Sequence, residues 1–443
     1  MCSISQGAVA VLWPATAVGS KQVSSVPVSP QDRFVHGQLI NLVRRGEATS
    51  RPSLEHKTGL GRKVVAQRVQ HAIDVGLIDD STRAVSADPG RPSRFLRFRA
   101  DAGLVFAGMI ESTQLWAAVA TLDGQLVASR HLIWNSDRGP ERTLAALKGM
   151  FDRLERKAGS SPWAIGIGIS GAVEFERGKV IASPMLPGWD GFSVRGWLRE
   201  HYDAPVWVEN DVNLMALGEW HQGHPREDRD LLYLMVDDEV GTALISGGRL
   251  VRGASGAAGN IGHTRVTDDP AVVCRCGRQG CLEAVSSGWG LMQRVTARVD
   301  ESAVLAALLR KNGTLHPADV GDAALGGDSL AFDEVATSVR AAGAATANYV
   351  NFANPGTVVV GGRLLSLGTW TVEMLESEIR GRLTAIADRD LKIRAASLDH
   401  REGLAGAAIL AVEQLFGPAA VGLWIDNGSP IGRAAALQGI LAG

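Results

Sequence analysis

GASGAAGNIGHTRVTDDPAVVCRCGRQGCLE, residues 253–283, holds most of the chain's chemistry and decides how the rest is read. Three of the four cysteines, Cys274, Cys276 and Cys281, fall within it, and His263 stands a short loop upstream. A C-x-C-x4-C run makes a poor disulfide ladder, because cysteines two apart bridge badly and three thiols leave one unpaired. Metal ligation fits better. Zn2+ takes about four soft or borderline ligands in a tetrahedron. Three thiolates and one imidazole meet that need on a loop where Gly277 and Gly280 supply the turns. The competing reading, reduced cysteines in an ordinary core, requires apolar neighbours, whereas Arg275, Arg278 and Gln279 interleave the thiols. The expectation is a zinc site made by His263, Cys274, Cys276 and Cys281.

The pattern GxxGxAGxxGH ending at His263, followed by CxCGxxGCxE ending at Glu283, resembles that of the ROK family of repressors and sugar kinases. The resemblance implies an α/β fold over 100–417 with two lobes of the actin-like, ribonuclease-H-like kind, lobe one about 100–213 and lobe two about 214–417. It implies that His263 ligates zinc through one ring nitrogen and turns its other face to a sugar hydroxyl, with Glu283 a further sugar contact. Family members usually carry Glu three residues before the histidine. Here that place is Asn260, a neutral amide that donates as well as accepts.

Glu209-Asn210-Asp211-Val212-Asn213 follows a strand and opens a helix, where α/β folds place ligands. The run resembles the ENDxN segment of the family's sugar kinases, which implies Asn210 on a sugar hydroxyl and Asp211 as a base, here vestigial. Taken by itself, an Asn-Asp pair in that position also serves as a helix cap. Ser170 and Gly171, with the Leu186-Pro187-Gly188-Trp189 turn, complete the expected sugar site, and Met185 stands where the kinases commonly have Asn.

At 443 residues, the chain is long enough for two or three domains with real cores. No apolar run reaches the roughly 18 residues that a membrane span needs. Residues 1–30, rich in Ser and Val and nearly uncharged, read as a disordered leader without a signal peptide's order of regions, so a cytoplasmic address is expected. Net charge is only −2, but 31–99 carries 13 Lys and Arg against 7 Asp and Glu. A basic module on an acidic body points to a polyanion partner for that module alone.

Within 31–99, helices are expected over 32–45, from a Ser50 cap to 57, and over 62–75. Along the last, Val65, Val69, Ala72 and Ile73 form a stripe to bury, leaving Arg62, Lys63, Gln67 and Arg68 on other faces. Those residue types read base edges and phosphates in the major groove of double-stranded DNA. Gly90-Arg91-Pro92 holds Arg91 in an extended segment suited to a minor groove. The module resembles the winged helix-turn-helix of ROK-family repressors. A three-helix docking module with a solvated basic face is the other reading of the same residues.

Beyond it, strands are expected over 104–110, 115–122, 125–132, 164–169, 205–208, 231–236, 241–246, 249–251 and 357–360. Helices are expected over 142–157, 194–201, 282–299, 302–309, 332–350 and 404–415, and 418–443 is left as a tail of unread role.

Kinase activity needs a cradle for nucleotide phosphates. The family's first turn, DxGGTK, is replaced by Met109-Ile110-Glu111-Ser112-Thr113-Gln114, and its second, GTGxG, by Asp237-Asp238-Glu239-Val240-Gly241. Bare glycine backbone has gone, and acids face an anion: two like charges about 4 Å apart cost roughly 4 kcal/mol at an effective dielectric near 20. Asn354-Pro355-Gly356 and Val359-Val360-Gly361-Gly362 resemble the adenosine-side motif, though strand-Gly-Gly has a plain packing use as well. The expected function is therefore a sugar-sensing transcriptional repressor, a homodimer or homotetramer, with a catalytically inactive kinase domain. An ATP-dependent sugar kinase with a vestigial N-terminal module is the alternative.

Overall fold

Ser50 opens the second helix by accepting the Ser53 amide, while the Ser53 hydroxyl returns the favour at the Ser50 amide. That capping box fixes a three-helix module: α1 (Pro30–Arg44), α2 (Arg51–Thr58) and α3 (Arg62–Asp74). The computed structural model describes residues 30–83, 94–181, 186–223, 229–363, 367–398 and 401–439. The leader up to 29, Arg91 with its flanking prolines, and Met185 lie outside the described residues. Leu39, Ile40, Val43, Leu54, Val65, Val69 and Ala72 are buried and form the module's core. Strands β1 (Ile78–Arg83) and β2 (Arg94–Phe98) pair antiparallel as a ribbon after α3, which completes a winged helix-turn-helix arrangement.

A meander follows: β3 (Leu104–Ile110), β4 (Gln114–Thr121) and β5 (Leu126–Ile133), with Gly124 at φ 84° in the turn. Helix α4 (Pro140–Ala158) returns the chain to β6 (Ala164–Ile169), parallel to β3. The short hairpin β7 (Ala172–Glu174) and β8 (Lys179–Ile181), helix α5 (Val194–Arg199) and β9 (Val206–Asn210) complete a five-stranded sheet of order β5-β4-β3-β6-β9 and its cover. Phe106, Phe151, Ile165, Ile167, Val206 and Trp189 are buried between sheet and helices.

The same order then recurs. After α6 (Asp211–Gly218), strands β10 (Leu231–Val236), β11 (Val240–Ser246) and β12 (Arg249–Leu250) make a second meander. Helices α7 (Leu282–Ser286), α8 (Gly288–Ala297), α9 (Ala303–Asn312), α10 (Pro317–Leu325) and α11 (Ser329–Ala353) lead to β13 (Thr357–Gly361). Helices α12 (Thr369–Arg380) and α13 (Ala385–Asp388) precede β14 (Lys392–Ala395), giving the order β12-β11-β10-β13-β14. Two sheets, each ordered third-second-first-fourth-fifth, with an antiparallel meander and a parallel crossover, are the duplicated α/β unit of actin-like folds. The expected single helix over 282–299 is broken, because Ser287 at ψ 160° ends α7 and caps α8 through the Gly290 amide.

Helix α14 (Glu402–Leu415) is followed by α15 (Pro418–Trp424) and α16 (Ala434–Gly439). By contacts, the chain divides into Met1–Glu209 with Ala407–Gly443, and Asn210–Gly406. This differs from the expected end of lobe two at 417. From Ala407 onward α14 belongs with the first unit, where its backbone lies against Gly166 of β6 so closely that a Cβ there would meet the Ala407 carbonyl at 2.0 Å. Residues after 417 are no loose tail. Pro418 lies so close to Gly37 of α1 that a Cβ there would meet its Cα at 3.0 Å, and the stretch just before 417 holds the same helix: Glu413 pairs with Arg44 (2.6 Å) and Arg45 (2.5 Å), and Asn41 donates to the Phe416 carbonyl at 2.6 Å. Phe416 lies edge-on to Phe98 and to Trp424. Among the described residues, no single helix is long and apolar enough to cross a membrane.

Candidate functional site

His263 ends a short 3-10 turn, Ile261–His263, and Cys281 stands just before the first residue of α7. Between them the chain folds back on itself through backbone bonds Leu282 to Thr264 (2.9 Å), Val266 to Gly280 (2.7 Å) and Cys274 to Arg278 (2.8 Å). Gly280 is required in that knuckle: its φ is 72°, and a Cβ would sit 2.0 Å from the Thr267 carbonyl oxygen. Gly259, at φ 88°, lies flat on β11, where a Cβ would meet the Thr242 oxygen at 1.9 Å. The glycine spacing of the opening stretch is thus a steric demand of a loop pressed against a strand.

The knuckle brings one Nδ1 or Nε2 and three Sγ atoms to within 4.8 Å of one another. His263 Nδ1 and Cys274 Sγ are 3.8 Å apart, as are Cys276 Sγ and Cys281 Sγ. An ion bonded about 2.3 Å from each sulfur in a tetrahedron sets those sulfurs about 3.8 Å apart. These four side chains could therefore hold a metal ion. Burial pushes the Cys274 thiol up to about 12, and raises Cys281 as well. Thiolates in such surroundings need a cation beside them. Cys274 and Cys281 are buried with Ala284, Val272 and Trp289 around them, and the Glu283 carboxylate lies 4.0 Å from the Cys274 Sγ.

Glu283, on the first turn of α7, is buried and receives Arg275 Nε at 2.9 Å. Arg275 Nη2 also donates to the Asp238 carbonyl at 2.6 Å, and its guanidinium lies 5.1 Å from the centre of the Trp289 ring. Sequence reading assigned Arg275 no role beyond separating two cysteines, since a contact reaching 37 residues back leaves no local signal.

The turn between β10 and β11 is the acidic Asp237-Asp238-Glu239 segment. Arg363, just past β13, pairs with Asp237 (2.9 Å) and Asp238 (3.1 Å). A cation supplied by the chain itself thus holds both aspartate carboxylates of the turn. Glu239 is half-buried, and desolvation, followed by the Asp211 and Glu283 carboxylates, raises its carboxyl well above the ordinary 4.5, with Arg275 pulling the other way. A carboxyl raised in the folded state costs stability above its unfolded value, and the cost grows with pH up to the folded value. Glu239→Gln is expected to raise the unfolding temperature, and by more at about pH 8 than at about pH 5. Scanning calorimetry giving the same shift at both would show that Glu239 does not titrate in this way.

Asn210 and Asp211 open α6. Asn210 caps the helix, accepting the Asn213 amide (3.1 Å), and donates to Asp211 Oδ1 (2.9 Å), which also accepts the Val212 amide. Asp211 is buried and Asn260 is exposed. Both belong with His263 and Glu283 to Asn210–Gly406, while Ser170, buried after β6, and Gly171, at φ 102°, belong to the first unit. Trp189, expected in a turn beside the sugar, is instead fully buried in the first unit's core and donates to the Ser136 carbonyl at 3.3 Å. Gly361 and Gly362 serve packing: a Cβ on Gly361 would strike the Tyr233 hydroxyl, and one on Gly362 the Val236 carbonyl. The Glu111 turn is closed on itself, with Gln114 donating to the Glu111 carboxylate at 2.5 Å and Ser136 to its carbonyl at 2.6 Å. On α3, Arg62, Lys63 and Gln67 are exposed, and Arg68 is half-buried.

The profile of one family, described as the ROK family, matches residues 109–414. A glucokinase of Halalkalibacterium halodurans is 29% identical over 311 residues, 69% of this chain and 94% of that protein. A xylose repressor of Caldicellulosiruptor bescii is 26% identical over 384 residues, 85% of this chain and 95% of that protein. Among solved structures, a ROK family transcriptional regulator described as a homolog of E. coli MLC aligns with TM-score 0.76 at 23% identity, over 90% of this chain and all of that one, which speaks to the fold.

Proposed function

The chain belongs to the ROK family, and from that membership we propose that it is a sugar-responsive, DNA-binding transcriptional repressor whose zinc-containing kinase-like domain does not phosphorylate sugar. One observation carries the reading: the turn that would cradle nucleotide phosphates is built of Asp237, Asp238 and Glu239, with Arg363 already bound to the first two. An incoming triphosphate would have to displace that ion pair and face the freed carboxylates in a partly desolvated turn. The match to the xylose repressor reaches over a larger share of this chain than the match to the glucokinase, 85% against 69%. That supports an N-terminal module of regulator type.

In this reading Zn2+ is held by His263, Cys274, Cys276 and Cys281, and its chemistry is structural: four protein donors leave no open position for catalysis. His263 Nε2, Glu283, Asn260, Asn210 and Asp211 bind a sugar or sugar derivative. Asp211 serves as a hydroxyl acceptor, since a base without a phosphoryl donor has nothing to activate. Arg62, Lys63, Gln67 and Arg68 face the major groove, and Arg91 enters the minor groove. The effector acts by binding one arrangement of the chain better than another and thereby changing the spacing of helix-turn-helix heads in a homodimer or homotetramer. Half-sites about one helical turn apart match one spacing only. Its place of action is the cytoplasm, where thiols stay reduced for a metal.

The glucokinase relative keeps a second reading in view, an ATP-dependent sugar kinase, and buried Asp211 in its helix-capped position is the feature that favours it. Selection of binding sites from a random duplex pool separates the two. The regulator enriches a pseudo-palindrome and binds it with an affinity that falls steeply with salt. A kinase enriches nothing.

A further inference from the structure

We propose that Arg275 is a positioning residue that transmits metal occupancy to the acidic turn and to Glu283, and so to effector affinity; the last step rests on the regulator reading above. Arg275 lies between two metal-ligating cysteines, so a bound ion fixes its backbone from both sides. Its side chain leaves the knuckle and joins three other elements. Nε reaches Glu283 at the start of α7 (2.9 Å), Nη2 reaches the Asp238 carbonyl in the β10–β11 turn (2.6 Å), and the guanidinium face covers Trp289 on α8. The pair is shielded, with side-chain exposures of 18% for Arg275 and 5% for Glu283. A buried carboxylate that loses its partner is strongly destabilised. The knuckle therefore controls whether Glu283 is compensated and where it points.

The β10–β11 turn is gripped from two directions. Arg363 holds the Asp237 and Asp238 carboxylates from the end of β13, and Arg275 holds the Asp238 backbone from the knuckle. With the ion gone, the knuckle loses its fourfold cross-link and the second grip loosens, while the first remains. A lysine at 275 would keep the charge, but its single ammonium cannot span Glu283 and Asp238 with the planar geometry of a guanidinium.

The test compares the wild-type chain, Arg275→Met and Arg275→Lys, each zinc-loaded and each stripped with a chelator. Metal content is read by mass spectrometry, and amide exchange is followed over 236–241. Stripping the wild type is expected to speed exchange in the turn by about tenfold. Loaded Arg275→Met is expected to keep its metal, to show that faster exchange already, and to change no further on stripping. Arg275→Lys keeps its metal and restores little of the protection. Calorimetric titration with glucose and with xylose then reads affinity, which falls in Arg275→Met for whichever sugar the wild type binds. A wild-type turn indifferent to chelation, or an Arg275→Met turn that stays protected and metal-responsive, would overturn the proposal, as would loss of metal from both variants. If the wild type binds neither sugar while the exchange pattern holds, the effector reading fails and the coupling from metal to turn stands.

Discussion

Cys281→Ser is expected to take the metal content from about one ion per chain to under about a tenth, because a neutral hydroxyl replaces a thiolate in a four-donor set. Cys281 is a severe place for that loss. It is 1% exposed and immediately precedes α7, and the Leu282 amide bonds Thr264 beside His263. Structural zinc contributes on the order of 10 kcal/mol in small domains that are unfolded without it. Here the second unit has its own core of Leu232, Leu234, Val335, Val339, Val358 and Val360, so the metal's share is a fraction of that. A loss of about 3 kcal/mol would lower the unfolding temperature by roughly 6–12 °C in a unit of about 200 residues. Lowering the pH should reproduce the effect, since protons compete for thiols that burial already holds high. Elemental analysis finding a full complement of zinc in Cys281→Ser would remove that residue from the ligand set.

Arg62→Ala carries the second large effect. Arg62 is the first residue of α3 and is exposed, while Val65, Val69 and Ala72 further along the helix are buried, so its side chain can meet a duplex without disturbing the module's core. A bidentate arginine-guanine contact is worth about 1–3 kcal/mol, so affinity for a selected site should drop roughly 10- to 100-fold and discrimination at one base position should relax. Sugar affinity should not change. An anisotropy titration giving equal site affinity in the variant would take Arg62 out of the interface, and Lys63 or Gln67, also exposed on α3, would be next in line.

How much of this was legible beforehand follows from the range of each interaction. Strands 104–110, 164–169 and 231–236 were readable as continuous apolar runs, and they are the central strands, buried on both faces. The elements missed were β7, β8, α10, α12, α13, α15, α16 and β14. Arg394 and Lys392 interrupt the apolar pattern of the last, an edge strand with partly exposed residues. The cluster of His263, Cys274, Cys276 and Cys281 was legible because the spacing of its members is local. The arginine contacts that hold the neighbouring turn were not: Arg363 meets the Asp238 carboxylate across 125 residues, and Arg275 meets the Asp238 carbonyl across 37. The acids of that turn were visible in the sequence; that two arginines already hold it was not. Likewise the residues after 417 gave no signal, because what they meet, Gly37, His71 and Val75, lies more than 300 residues earlier.

The central claim is that a kinase-like fold here reads sugar and does not modify it. Coupled measurement of ATP consumption by the purified, zinc-loaded chain, with Mg2+ and glucose or xylose at millimolar concentration, addresses it directly. The account predicts no sugar-dependent turnover above background. Sugar-dependent turnover at about 1–100 per second, the range of working kinases, would contradict it and return the chain to the enzymes of its family.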